Sequence, residues 1–295
     1  MAPLVDAHHH VWDLARRPQQ WLDAPVYARI RRTFTLADLH TEATRTIAGR
    51  RLTTSVIVQC LTSLEETEEL LALADQEPRA GAVVGWADLT DPAIGAVLDR
   101  LRDGPGGSAL RSLRHIVQAE TDPGWLQQPV VERGLRTLAE RGLGYDVLIR
   151  ADQLPQAIRM AERLPDLWLV LDHAAKPPIA TGDLAGWRRD VGALAAHPQV
   201  FCKVSGLVTE ADHASWTTSD IRPVWDLLLA VFGPQRLMFG SDWPVCVVAG
   251  GWDRWAATVG ELLRELSPDE QHAVLAGTAT RFYQLTNEEL TNPCC

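Results

Sequence analysis

Short runs of β-branched and apolar residues recur eight times along this chain with helical patterns between them, and this alternation limits the fold more than any other feature. The runs lie at 4–7, 55–59, 83–87, 113–117, 145–149, 168–172, 200–204 and 237–240. Clear helical stretches separate several of them. They span 64–76, with a Glu-rich outer face; 130–141, stopped by Gly142; 153–163, stopped by Pro165; and 221–232, stopped by Gly233-Pro234. Strands alternating with helices build βα units and a parallel sheet rather than an all-β fold. Eight units close into a (β/α)8 TIM barrel, so the expected architecture is α/β in a single domain covering residues 1–295. A chain of 295 residues buries a full core without disulfide staples.

One long insertion follows the first strand. Residues 11–52, which include the first helix in the capped segment 35–45, also carry Arg16-Arg17-Pro18, Trp21 and Tyr27. Long ordered loops in compact domains are often functional, so a lid is expected there. Residues 286–295 read as a loose tail ending in Cys294 and Cys295. Cys60, Cys202 and Cys246 bring the count to five, an odd number with no zinc-ribbon spacing, and read as reduced thiols.

With 28 basic against 38 acidic residues the net charge is -10, which disfavours nucleic acid and anionic membrane surfaces as partners. No apolar run approaches a membrane span, and the N-terminus lacks the regions of a secretory signal, so a cytoplasmic protein acting on a small molecule is expected. A homo-oligomer is compatible with these numbers.

In a TIM barrel, chemistry sits at the C-terminal ends of the strands. Polar residues accumulate there: His8 and His10, Gln59, Asp88, Arg114 and His115, Asp172 and His173, Lys203 and Asp242. Successive side chains on a strand face opposite ways, so His8 and His10 share a face and His9 points away. Two converging imidazoles suit a metal ion or a carbonyl in need of polarisation. The same alternation turns Asp172 away from His173 and into a structural role. Arg114 could instead pair with a carboxylate such as Asp88.

The ordered set Asp-Ala-His-x-His with a following Trp, Arg-His-Ile-Val-Gln, Leu-Asp-His-Ala-Ala-Lys-Pro, Lys-Val-Ser-Gly-Leu and Phe-Gly-Ser-Asp-Trp-Pro resembles the amidohydrolase superfamily. It is most similar to the branch of sugar-lactone hydrolases and pyrone-dicarboxylate lactonases. The resemblance runs from about residue 4 to residue 285, and it implies that His8, His10, His173 and Asp242 form the core site. Many superfamily members add a bridging lysine or glutamate on the fourth strand and a histidine on the fifth. This chain offers neither, so one metal ion is the ceiling.

Two mechanisms share these residues. With zinc or manganese, His8, His10, His173 and Asp242 would hold one divalent ion whose bound water attacks a lactone carbonyl. Without metal, Asp242 would activate water and the histidines would form an oxyanion hole. Asp242 and His173 are the expected catalytic residues. Gln59, Arg114, His115 and Lys203 are expected to bind ring hydroxyls or a carboxylate, and Trp12 and Trp243 to face a sugar ring. Few arginines stand at strand ends, so a neutral sugar 1,4- or 1,5-lactone is expected over a dicarboxylate lactone. A metal-dependent decarboxylase of related barrel architecture is the alternative reaction.

Overall fold

The protein, described here by a computed structural model over residues 2–286, is an eight-stranded parallel barrel. The strands are β1 (Pro3–His9), β2 (Arg51–Val58), β3 (Ala80–Gly85), β4 (Leu110–His115), β5 (Gly144–Val147), β6 (Leu169–Leu171), β7 (Val200–Val204) and β8 (Leu237–Phe239). They pair in chain order. Each pairing from β1 to β8 is parallel.

The longer helices are α1 (Leu36–Glu42), α2 (Leu64–Gln76), α3 (Ile94–Asp103), α4 (Pro129–Glu140), α5 (Leu154–Arg163), α6 (Ala185–Ala195), α7 (Thr218–Phe232) and α8 (Gly251–Leu262), and two short ones follow, α9 (Pro268–His272) and α10 (Thr278–Phe282). Thr35 and Asp38 form a capping box on α1, as Thr217 and Asp220 do on α7, which satisfies helix-end N–H groups that would otherwise lack partners. The third and fourth strands begin three residues earlier than their apolar runs suggest. Ala80 and Leu110 are recruited by ladder pairing to Ser55 and Val83, which overrides the weak local propensity of Ala, Gly and Arg.

The barrel wall closes between β1 and the residues just after β8. The amide of Asp242 donates to the carbonyl of His8 at 2.8 Å, and the amide of His10 donates to the carbonyl of Trp243 at 2.7 Å. The hydrogen bonds that complete the cylinder are therefore made by the residues expected to carry chemistry.

The strands present two faces to two cores. Ile57, Val83, Tyr145, Leu169, Leu171, Cys202, Val204, Leu237 and Phe239 pack outward among the helices. Val5, Ala7, Val56, Val58, Ala82, Val84, Val170, Phe201 and Met238 form a second cluster with Phe282 and Tyr283, which follow the last strand and close the lower end of the barrel. Cys60, Cys202 and Cys246 are buried free thiols. The expected tail at 286–295, with Cys294 and Cys295, lies outside the described residues apart from Thr286.

Candidate active site

A break in strand register aims the first two imidazoles. Val5 and Ala7 pack with the inner cluster, and strict alternation from them would send His9 inward and His8 outward. The β1 ladder to β2 is irregular between Asp6 and His9, and one extra residue there reverses the parity. His9 consequently turns out to bond Ser55 Oγ at 2.9 Å. His8 and His10 turn in, with their Nε2 atoms 3.2 Å apart. Asp6 pins the break by accepting from the amides of His8 (3.1 Å) and Ser241 (2.8 Å) and from the Ser241 hydroxyl (2.5 Å). Burial pushes the Asp6 carboxyl up to about 7 against the pull of these donors.

The other two residues of the set emerge from strained backbone. His173, Ala174, Ala175 and Lys176 all have φ between 50° and 58°, and Asp242 has φ 55°. Non-glycine residues in this left-handed region cost on the order of 1 kcal/mol or more each, and such strain gathers at functional sites. The surroundings enforce it. Ser205 Oγ bonds His173 Nδ1 at 2.9 Å. Gly206 (φ 61°) leaves no Cβ where His173 Nδ1 would stand 2.5 Å away. Gly240 likewise has no Cβ to strike that of His8, 2.8 Å from the ideal position.

His8, His10, His173 and Asp242 are thus brought to one point. Asp242 Oδ1 lies 3.6 Å from His10 Nε2 and 3.9 Å from the Nε2 atoms of both His8 and His173. Beneath them is a layer of buried charge. Lys203 Nζ bonds Asp146 Oδ2 at 2.5 Å and His8 Nδ1 at 3.0 Å, and pairs with Asp172 Oδ1 at 3.0 Å. Arg114 donates to Asp172 Oδ2 at 3.0 Å and to the Gln59 carbonyl. Tyr283 reaches up from the barrel's lower end to give Asp146 a hydrogen bond at 2.8 Å.

This layer corrects several sequence expectations. Asp172 does not turn away from the site, because alternation from inward-facing Val170 carries it inward and the left-handed turn at His173 brings the next side chain in as well; Asp172, and not Asp88, is the partner of Arg114. Lys203 is fully buried and committed to three protein groups, so it does not meet a substrate. Gln59 is buried and gives its amide to the Arg114 carbonyl at 2.9 Å. His115 stacks on Trp125, bonds Glu120 at 2.7 Å and accepts from Trp86, outside the cavity. Trp12 packs edge-on against Trp21 and Phe34, and Trp243 packs against Phe34 and donates to Glu42 at 2.8 Å. Both indoles hold the insertion to the barrel instead of facing a sugar.

Above the convergence point opens a cavity of about 740 Å³. Of the expected residues it is lined by His10, Arg114, His173 and Asp242. Pro18, Gln20, Trp21, Val26 and Tyr27 of the insertion form one wall. Lys176, Glu210 and His213 line another, with Lys176 and Glu210 3.8 Å apart. Lys176 stands within the Leu-Asp-His-Ala-Ala-Lys-Pro motif and was open to notice. Glu210 and His213 sit in the loop after β7 with no motif to mark them.

Electrostatics sets protonation. Burial holds the His173 imidazole down at about 4, and burial together with Lys203 holds His8 well below the usual histidine range, so both are neutral near pH 7. Burial works to raise the Asp242 carboxyl, but His173 and His10 outweigh it and keep the group below the usual carboxylate range. A carboxylate beside neutral imidazoles is a fitting donor set for a divalent cation. Among the described residues, His8, His10 and Asp242 form one candidate group, and His8, Asp172 and His173 another. The second fits poorly, because the Lys203 ammonium lies 3.0 Å from Asp172 Oδ1 and would repel the ion.

Known proteins resemble this chain along most of its length. A protein of Burkholderia multivorans named L-fucono-1,5-lactonase is 39% identical over 292 residues, covering 95% of this chain and 96% of its own. A protein of Burkholderia ambifaria with the same name is 37% identical over 294 residues, covering 95% of both chains. The crystal structure of a Burkholderia multivorans amidohydrolase with bound zinc superposes with a TM-score of 0.88 at 38% identity, over 97% of this chain and all of that one. The amidohydrolase family matches residues 5–285, from the strand that carries His8 to the segment that closes the barrel's lower end, and this chain belongs to that family.

Proposed function

We propose that this protein hydrolyses a neutral sugar lactone, with L-fucono-1,5-lactone the first candidate, since that is the activity named for two relatives sharing more than a third of its residues. The observation that carries the reading is an ionised Asp242 beside His10 and His173 on the floor of a cavity large enough for a hexose-sized ring. The reaction has four parts. Asp242 takes a proton from water as its oxygen bonds to the lactone carbonyl carbon. Charge developing on the carbonyl oxygen is met by the positive field of Arg114 and Lys176. The ring C–O bond then breaks. Asp242 returns its proton to the departing ring oxygen, giving the open hydroxy acid.

A divalent cation, zinc or manganese, fits this donor set. His10 and Asp242, with either His8 or His173, would hold it, and it would add Lewis acidity at the carbonyl. The cavity carries Asp242 and Glu210 alongside Arg114 and Lys176, so a dicarboxylate would meet two carboxylates of its own sign. A neutral ring meets no such penalty. The partner on this reading is a small molecule, neither nucleic acid nor membrane, in a cytoplasmic setting; no helix among the described residues is long and apolar enough to cross a membrane.

The test is acid release from a panel of sugar 1,4- and 1,5-lactones, run beside a pyrone dicarboxylate and aromatic carboxylates, before and after chelation. Turnover of a 1,5-lactone is expected. Silence across the sugar lactones, or carbon dioxide release from a carboxylate, overturns the proposal.

A further inference from the structure

We infer that Glu210 is the specificity-determining residue of the cavity, its carboxylate accepting hydrogen bonds from hydroxyls on the substrate ring, so that the site takes polyhydroxylated rings and turns away rings without hydroxyls.

The loop after β7 holds this carboxylate still and leaves its oxygens free. Gly206, at φ 61°, opens a single turn over Leu207–Glu210, which buried Leu207 and Val208 anchor. The backbone carbonyl of Glu210 accepts from the amide of Ala180 at 2.9 Å, tying the turn to the loop after β6. The backbone is thereby fixed. Its head group has no such tie: among the described residues no hydrogen bond reaches the Glu210 carboxylate, and Lys176 Nζ, 3.8 Å away, is beyond hydrogen-bond range. Burial raises this carboxyl against the pull of Lys176, so leaving its oxygens without donors is costly. A ligand that brings O–H groups into the cavity relieves that cost.

The neighbours of Glu210 narrow the ligand's chemistry. His213 Nε2 lies 3.0 Å from the carbonyl of Thr209, which only accepts, so the His213 hydrogen is on Nε2 and its Nδ1 is bare. Thr209 in turn gives its hydroxyl hydrogen to the carbonyl of Gly206 at 2.7 Å. All three residues line the cavity, and together they present acceptors with no hydrogen to give. Lys176, on the adjoining loop, presents donors with no lone pair. A group lodged between Lys176 and Glu210 must therefore accept from one and donate to the other. A hydroxyl does both, whereas a carbonyl, an ether or a carboxylate only accepts. Ile116, Leu148, Val245 and Val248, elsewhere in the lining, have no polar side-chain atom with which to read a hydroxyl.

This inference rests on the lactone-binding cavity proposed above and deepens it, but its measurement is equilibrium binding and needs no turnover. Calorimetry gives Kd for a panel of hexono- and 6-deoxyhexono-1,5-lactams, whose ring amide resists hydrolysis, and for piperidin-2-one, the same ring without hydroxyls. Wild type is expected to bind at least one sugar lactam about 100-fold tighter than piperidin-2-one, since a site built to bond hydroxyls rejects the analogue that lacks them. Glu210→Ala is expected to weaken that sugar lactam about 30-fold more than it weakens piperidin-2-one, the effect of losing hydrogen bonds to a charged group. Glu210→Gln, which keeps one acceptor oxygen, is expected to do so about fivefold. A carboxylate that merely shapes the rim or its field would weaken both rings alike, and equal weakening overturns the inference. So does a wild type that binds no sugar lactam more tightly than piperidin-2-one. Should Glu210→Ala fail to fold, the same ratio in Glu210→Gln decides. A protein that prefers the sugar lactam through Glu210 yet hydrolyses no lactone would sink the proposed reaction and leave this recognition standing.

Discussion

The two ends of the barrel interior are built by the same eight strands to opposite rules. At the lower end the inward residues are Val, Ala, Phe and Met, sealed by Phe282 and Tyr283. At the upper end they are His8, Arg114, Asp146, Asp172 and Lys203, roofed by the convergence of His10, His173 and Asp242. One end buries apolar surface at roughly 25 cal/mol per Å² and asks nothing of individual geometry. The other buries charges, which costs several kcal/mol per ion before pairing, and holds five residues in left-handed backbone. The contrast teaches that stability and chemistry are separated along each strand, with the lower half offsetting the strain of the upper.

That division predicts which variants lose activity and which lose stability. The largest effect is expected from Asp242→Asn. It removes the proton acceptor, so kcat should fall about 10³–10⁴-fold on the best lactone. Melting temperature should hold or fall only slightly, since the change keeps the packing volume and gives up only the stabilisation that folding gives the ionised carboxylate. Steady-state rates with a thermal melt check both halves. A large fall in melting temperature would show that the mouth is structural after all.

Phe282→Ala is the mirror image. It opens a void under the barrel against Phe201, Tyr283 and Trp168 and should cost about 3–5 kcal/mol in urea unfolding. The kcat of the folded fraction should stay within about twofold, because Phe282 touches none of the converging groups. A tenfold fall in kcat would erase the proposed separation.

Gly240→Ala probes the boundary between the two rules. The added methyl would lie 2.8 Å from His8 Cβ and 3.0 Å from Ser205 Cβ, so His8 must move. A displacement of that size near the reacting groups is expected to lower kcat about 100-fold, roughly 2.7 kcal/mol of barrier. Stopped-flow or steady-state rates check it.

The sequence made the lower half legible and the upper half only partly so, for one physical reason. Alternation and helix stops require only that strands be regular, and they are regular where Val56, Val58, Ala82 and Val84 line the interior. Chemistry begins where regularity ends. The pairing of His8 with His10 was visible from alternation, but their inward aim depends on the register break between Asp6 and His9. Counting from His173 sent Asp172 outward, but parity with inward-facing Val170 keeps Asp172 inside, and the left-handed turn is what brings His173 in beside it. Gln59, His115 and Lys203 do stand at or near strand ends as expected. Whether such a residue meets solvent or a neighbouring carboxylate depends on depth and on partners far off in the chain, and no local pattern encodes either.

The smallest predicted effect concerns the insertion, which belongs to neither end. Tyr27 lines the cavity from this segment, and burial raises its hydroxyl, with the charges of Asp242 and Glu210 raising it further, so it lies within electrostatic reach of both. A residue supplied by a covering segment contacts the bound ring before and during reaction alike, and such uniform binding lowers KM without raising kcat. Tyr27→Phe, which removes one hydroxyl and no packing volume of note, should raise KM about fivefold, near 1 kcal/mol, with kcat and melting temperature unchanged. Full steady-state curves on the preferred lactone separate the two parameters. A fall in kcat instead would mean that the insertion helps assemble the reacting groups, and the strand ends would no longer account for the chemistry by themselves.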